Sequence, residues 1–280
     1  MRGANMVWTE QKTYTCRQLT EVLVSNKAVE SNPAGLKANA DLVRSLFEQK
    51  GCHVRTVENP DAPYRPILIA EIGDDGTRPT VGFFGHYDVE EAEPSEWSVN
   101  PWQLNGKDGR WFGRGVADNI VPLAQRILLI EDLAAHCNLV FILQGEEEIG
   151  SPFAMEMYSN LELPGIDVWV EETGYFYKNG KHRIMAVNVD DNLQRVIEAL
   201  EQLNADNDRE SAVRIRPMNK AFGNQGCPCL VHLLQDIPYI ALGPNDDHST
   251  IHGVDESINP DLLGISARHL LRLCEVLASG

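Results

Sequence analysis

The stretch Asn138-Leu139-Val140-Phe141-Ile142-Leu143-Gln144-Gly145-Glu146-Glu147-Glu148 decides the fold. It opens on an unbroken apolar run and closes on a run of acids. A short apolar run bounded by glycine fits a strand buried on both faces. Consecutive carboxylates at the end of such a strand repel one another, and a nearby cation would offset that repulsion. A solvated charge run is the plainer reading, but it suits a helix surface better than the end of a core strand.

Similar strand-like runs occur at Pro66–Ile72, Thr80–Gly85, Ile166–Val170 and Ile237–Leu242. Helical patterns lie around them. Leu19, Val22 and Leu23 suggest a first helix that ends before Asn32-Pro33. Leu36–Lys50 puts Leu42, Val43, Leu46 and Phe47 on one face, with Gly51 as its stop. Val121–Leu133 carries Pro122 in its first turn, where proline is tolerated. The last helix has Asn259 as cap, Pro260 at its first position, and Leu262, Leu263, Leu270, Leu273 and Leu277 for burial. Asp74-Asp75-Gly76 reads as a turn, and Pro94–Gly109 as a loop carrying Trp97 and Trp102. The alternation predicts an α/β fold, a mostly parallel mixed sheet flanked by helices.

Ligands of such sheets bind outside the carboxyl ends of the strands. His86-Tyr87-Asp88 follows Val81–Gly85, the acidic run follows Leu139–Leu143, and Glu171-Glu172 follows Val168–Val170. His252 lies in the loop after Ile237–Leu242. Asp118 ends Gly113-Arg114-Gly115-Val116-Ala117-Asp118, just before a helix. His, Asp and Glu are the donors that a divalent ion such as zinc accepts, and cobalt and manganese suit them too.

Each cluster has a plain reading and a chemical one. His86 and Asp88 have strand spacing, so both can point the same way. One ring nitrogen of His86 would bind metal and Asp88 would hold the other. Asp118 could simply cap a helix. Alternatively it bridges two ions, one oxygen to each, with the glycines allowing a tight turn. Within the acidic run one Glu would bind metal. Its neighbour would take a proton from the attacking water and pass it to the leaving amine. One of Glu171 and Glu172 would be a terminal ligand. His252 would complete the second ion, with His248 as competitor.

The 280 residues are 43% hydrophobic and 23% charged, ordinary for a globular chain. A net charge of -17 makes nucleic acid a poor partner. No apolar run approaches the roughly 20 residues of a membrane span, and Met1–Tyr14 is polar without a signal core. A cytoplasmic protein with no membrane partner is expected. The six cysteines are scattered, so no disulfides are expected. Cys227-Pro228-Cys229 has the wrong spacing for a zinc knuckle.

Taken together, the motifs resemble the dizinc family of aminoacylases, glutamate carboxypeptidases and succinyl-diaminopimelate desuccinylases, metallopeptidase family twenty. Gly85-His86-Tyr87-Asp88-Val89 looks like its first metal motif. Trp97-x-x-x-Pro101-Trp102, Asp108-Gly109 and Gly113-Arg114-Gly115-x-x-Asp118 resemble the stretch up to its bridging aspartate. Glu147-Glu148-x-Gly150-Ser151 looks like its base–ligand pair, and His252-x-x-Asp255-Glu256 like its last ligand motif. The resemblance implies a zinc-exopeptidase-like fold and two divalent ions. It implies His86, Asp118, Glu148 and His252 as ligands, Asp88 behind His86, and Glu147 as general base. The remaining acid is Glu172 or Glu171, and the acid-Thr-Gly pattern favours Glu172.

The resemblance covers most of residues 15–185 and 215–280. Between them the family inserts a second domain, the lid, and Asn188 to Ile215 is too short for one. It reads instead as a helix with Leu193, Val196, Ile197, Leu200 and Leu203 on one face, a polar turn at Asn204–Ser211, and a strand at Ala212–Arg216. The expectation is one catalytic domain over residues 1–280, with the lid missing and 188–216 in its place. In the family the lid makes the dimer contact and supplies a histidine for the oxyanion and groups for the substrate carboxylate. Arg214, Arg216, Lys220, Asn224 and His248 are the positions that could replace them, and a monomer or a dimer not built on a lid is expected. Ile120 stands where the family often has a basic residue. The implied reaction is amide hydrolysis of a small N-acyl amino compound or a dipeptide, with Glu147 activating a water between the ions. The alternatives are a lidless aminopeptidase of the same clan, or a non-hydrolytic metal-binding paralogue or partner subunit, which would not need Glu147.

Overall fold

The computed structural model describes residues 7–73, 75–171, 174–216, 230, 233 and 236–280. The chain opens with α1 (Glu10–Ser25), whose first turn is capped by the Thr9 hydroxyl accepting from Lys12 N–H. Then come α2 (Pro33–Gln49), β1 (His53–Val57), β2 (Ile67–Ile72) and β3 (Thr80–His86). A loop leads to the short strands β4 (Asn105–Lys107) and β5 (Arg110–Phe112), then to α3 (Val121–Ala134) and β6 (Asn138–Gln144). Next are α4 (Pro152–Met157), β7 (Val168–Glu171), β8 (Tyr175–Phe176) and β9 (His182–Val187). α5 (Asp191–Ala205), β10 (Ser211–Ile215), β11 (Tyr239–Ala241), β12 (Asn245–Asp246), β13 (Ser257–Ile258) and α6 (Leu263–Ala278) complete the described elements.

The main sheet has ten strands, in the order β1-β2-β6-β3-β7-β11-β9-β8-β12, with β10 beside β9. Its centre is parallel, as expected: β6 with β3, β3 with β7, and β7 with β11. Toward one edge β2 and β1 run antiparallel, and toward the other so do β9 and β8. β13, β5 and β4 form a separate small sheet.

β6 shows why its sequence is apolar throughout. Leu139, Phe141 and Leu143 enter one core, while Val140 and Ile142 enter the other. The first core lies under α1, α2, α3, α5 and α6, and Phe141 stacks there on Phe83 at 4.8 Å. The second core takes Trp169, Phe84 and Tyr158. Truncating a fully buried aromatic such as Phe141 to alanine costs about 3–5 kcal/mol in cores of this kind.

The helix and strand expected between residues 188 and 216 are both present, as α5 and β10. Asp190 caps α5, and Leu193, Val196, Ile197 and Leu200 are buried. A buried polar network ties this segment inward. Asn204 Oδ1 accepts from His269 Nε2 at 2.8 Å, and Asn204 Nδ2 lies 3.0 Å from His182 Nδ1. The two imidazoles stack 4.2 Å apart, and the Phe176 ring lies 4.8 Å from His182 and 6.1 Å from His269.

Sequence reasoning did not find β1, β9 or the strands of the small sheet. β1 is a half-buried edge strand with polar residues between its apolar ones. The two- and three-residue strands are too short to carry a period.

Candidate metal centre

The parallel strands β6, β3 and β7 are neighbours, so their carboxyl ends deliver Glu147-Glu148, His86 and Glu171 to one edge of the sheet. The β3–β6 ladder runs through His86 opposite Gln144 and continues as Tyr87 N–H donates to Gln144 O. Gly145 lets the chain leave β6 against the Tyr87 ring, since a Cβ there would lie 2.3 Å from Tyr87 Cε2.

The acidic run divides its labour. Glu146 turns into the fold: it is buried, and its Oε1 accepts from the N–H groups of Phe153 and Ala154 at the start of α4. Burial pushes its carboxyl up, opposed by those N–H groups and by Arg65. Glu147 and Glu148 turn toward His86, and donor atoms of all three lie within 4.8 Å of one another.

Asp118 presents its two oxygens to different imidazoles. Oδ1 is 3.0 Å from His86 Nε2, and Oδ2 is 3.4 Å from His252 Nε2. His252 Nε2 is also 2.9 Å from Glu148 Oε2. The carboxylate is placed by an irregular turn between Gly115 and α3, with a cis peptide between Asp118 and Asn119. Gly115 has φ 77°, and a Cβ would come within 2.1 Å of Val89 Cγ1. Only glycine fits both constraints.

His86 Nδ1 lies 3.1 Å from the Asp88 carbonyl oxygen and 3.3 Å from its Oδ1. A carbonyl only accepts, so Nδ1 carries the proton and Nε2 is left facing Asp118. Asp88 Oδ2 accepts from Glu148 N–H at 3.0 Å. Asp88 thus touches two candidate ligands, one through its carbonyl and one through its carboxylate.

Charges in this cluster are strongly shifted. Burial opposes charge on Asp118, but hydrogen bonds from His252 and His86 hold its carboxyl far below the usual range. The Glu148 carboxyl is pushed up to about 8, chiefly by burial. His252 is raised to about 10 by its contacts with Asp118 and Glu148. His86 is raised as well: burial works against its charge, and Asp118 and Asp88 outweigh burial. Imidazole and carboxylate groups therefore crowd together here, each shifting its neighbour's titration. Glu148 Oε1 is buried without a hydrogen-bond partner, which fits a site built for a cation. The donor set of imidazole and carboxylate suits a divalent ion.

The remaining candidates are less central. Glu171 is buried and accepts from the Tyr239 hydroxyl at 2.8 Å. Glu172, Lys220, Asn224, Cys227 and Cys229 lie outside the described residues. Arg214 sits over the Tyr177 ring on β10. His248 donates its N–H to Asp246 and joins neither donor grouping among the described residues. Ile120 is fully buried.

Sequence reasoning passed over Glu90. Its carboxylate falls within 4.8 Å of donor atoms of Glu148 and His252. It lies two residues beyond Asp88, but no local pattern says that the His252 loop folds back onto it. The contribution of Arg114 and Glu256 was also hidden, since their pairing joins distant segments.

The fold and these gathered donors define a class, that of zinc-exopeptidase-like α/β domains. A model of peptidase family M20/M25/M40 matches residues 82–276, and the chain belongs to that family. Membership implies a divalent metal, which the imidazole and carboxylate cluster suits. The chain is 41% identical over 95 residues to a mouse (Mus musculus) Beta-Ala-His dipeptidase, covering 32% of this chain and 19% of that protein. It is 35% identical over 156 residues to the cysteinylglycine-S-conjugate dipeptidase of Corynebacterium striatum, covering 53% of this chain and 34% of the other. The chain thus spans well under half the length of these relatives. The structure of human carnosine dipeptidase 1 superposes with a TM-score of 0.77 at 12% identity, covering 97% of this chain and 98% of that one. Among the described residues no helix is long and apolar enough to cross a membrane.

Proposed function

We propose that this chain is a metal-dependent hydrolase that cleaves the amide bond of a small substrate, a dipeptide or an N-acyl amino compound. One observation carries the reading: Asp118 directs one oxygen to His86 and the other to His252, whose Nε2 also meets Glu148, and Glu147 lies beside His86 and Glu148. A carboxylate so placed can serve two ions at once, which favours a pair of divalent ions, zinc first among them. His86, Asp118 and one of Glu171 and Glu172 would hold one. Asp118, Glu148 and His252 would hold the other. Bound there, the ions would polarise the scissile carbonyl and acidify the attacking water.

The chain's own residues then carry the protons. Glu147 takes the proton of the attacking water and delivers it to the departing amine. Asp88 keeps the His86 ring turned so that Nε2 faces the site. Glu90 adds negative charge at the rim beside Glu148 and His252, which attracts the free ammonium of a dipeptide more than a neutral acyl group. The relatives named dipeptidases support the same preference. In this reading residues 188–216 take the place of a lid domain, and the chain works as a monomer or as a dimer formed without a lid.

The test is Glu147→Gln, with metal content and turnover of dipeptides and N-acetyl amino acids measured side by side. Turnover should fall by about two to four orders of magnitude with the metal retained. Turnover that survives the change would rule out Glu147 as the base.

A further inference from the structure

Asp118 and His252 come from segments far apart in sequence, yet each ion on the His252 side needs both within a fraction of an ångström. The structure holds them together through a buried pair, Glu256 and Arg114. Glu256 Oε1 accepts from Ala117 N–H at 2.8 Å and from Asp118 N–H at 3.2 Å. Its Oε2 accepts from Gly115 N–H at 2.9 Å and from Arg114 Nη1 at 3.0 Å. Arg114 Nη2 reaches back to the His252 carbonyl at 3.4 Å. Both side chains are almost wholly buried.

Neighbouring contacts fix the pair itself. Strand β13 pairs with β5, and the ladder extends as Gly113 N–H donates to Glu256 O. Beyond that point the strands part, and the Glu256 carboxylate takes over from the backbone. The Arg114 guanidinium lies 5.1 Å from the centre of the Trp97 ring, and Ser98 N–H donates to Asp255 Oδ1. The loop that carries His252 needs such support. Thr250, His252 and Asp255 all have positive φ without being glycine. That conformation persists only where surrounding contacts determine it.

We propose that Glu256 and Arg114 are positioning residues that lock the Asp118 turn and the His252 loop in one register, and so build the ion position shared by Asp118, Glu148 and His252. The proposal rests on the dimetal reading above. The His86 side shares Asp118 but not the His252 loop, and His86 is itself fixed by β3 and by Asp88, so that side depends on the pair less. Loosening the pair should therefore separate the two positions. Gln in place of Glu256 would turn an amide NH2 toward N–H donors, and Lys in place of Arg114 keeps the charge but loses the fork.

The experiment is zinc titration calorimetry and cobalt absorption spectroscopy on the full chain, comparing wild type, Glu256→Gln and Arg114→Lys, with far-UV circular dichroism as the fold check. Two ions should bind the wild type. In each folded variant the ion on the His252 side should weaken by about 10–100-fold and the ion on the His86 side by clearly less, with an altered cobalt spectrum. Folded variants that bind both ions as the wild type does would overturn the proposal and leave the dimetal reading intact. Loss of folding in both variants would also overturn it, since the pair would then serve the fold rather than the ion position. A wild type that binds no ion would overturn the dimetal reading itself.

Discussion

Asp118 is the residue on which both halves of the site depend. Removing its carboxylate as Asp118→Ala should release both ions, whereas His252→Ala should release one. Elemental analysis of the purified variants reads the difference, and equal loss in both would argue against a bridge. Gly115→Ala should be poorly tolerated, because the added methyl meets Val89 in a backbone with positive φ. A loss of more than about 1 kcal/mol in urea unfolding is expected, since the steric clash adds to the cost of positive φ for a non-glycine residue. That His86, Asp118, Glu147, Glu148 and His252 come together was legible in the sequence, because each sits at a strand end or in a motif with fixed spacing. Glu90 was not, since its relevance comes from where the His252 loop folds back. No local pattern encodes that return.

Among the elements, α5 and α6 meet β9 through the stacked pair of His182 and His269, whose chemistry predicts an acid-sensitive joint. Burial lowers His182 to about 3, with the Arg209 charge adding to the effect. His269 is lowered by burial and then by the charges of His182, Arg209 and Arg268. The unfolded chain binds these protons near pH 6.5, and the folded chain does not. The unfolded state therefore holds more protons between the two values, so stability rises with pH there. The contribution is complete above about 6.5 and falls by up to about 1.4 kcal/mol per pH unit for each histidine as the solution is acidified. Urea midpoints of wild type and His182→Phe at pH 5 and pH 7.5 check this. The variant should show the shallower dependence, and identical slopes would remove the histidines from the account. The central strands and long helices were readable from the sequence because their apolar positions follow one clear period. β9 was missed although Ile184, Ala186 and Val187 are buried, because His182 and Arg183 disguise its start.

For the molecule as a whole, metal and stability are linked. A net charge of -17 and a carboxylate-lined site mean that a bound divalent ion would relieve repulsion as well as hold ligands. A ligand at 1,000 times its dissociation constant stabilises by about 4 kcal/mol. Chelation should therefore lower the melting temperature by several degrees, and calorimetry with and without chelator reads the shift. An unchanged melting temperature would mean that the ions bind no more tightly to the folded chain than to the unfolded one. The overall architecture followed from alternating patterns, but the closing of the small sheet did not. β5 and β13 pair across about half of the chain, and only the tertiary fold brings them together.

That long-range closure sets an order in time. Asp118 and Glu256 are 138 residues apart. During synthesis, His86, Asp118, Glu147 and Glu148 have all emerged before the segment carrying His252 and Glu256 exists. If the site takes two ions as proposed, the first could be captured by a chain still being made, while the second would wait for the C-terminal segment to dock. An ion held by His252 would be lost whenever the loop that carries it detaches, so its release would report that local opening.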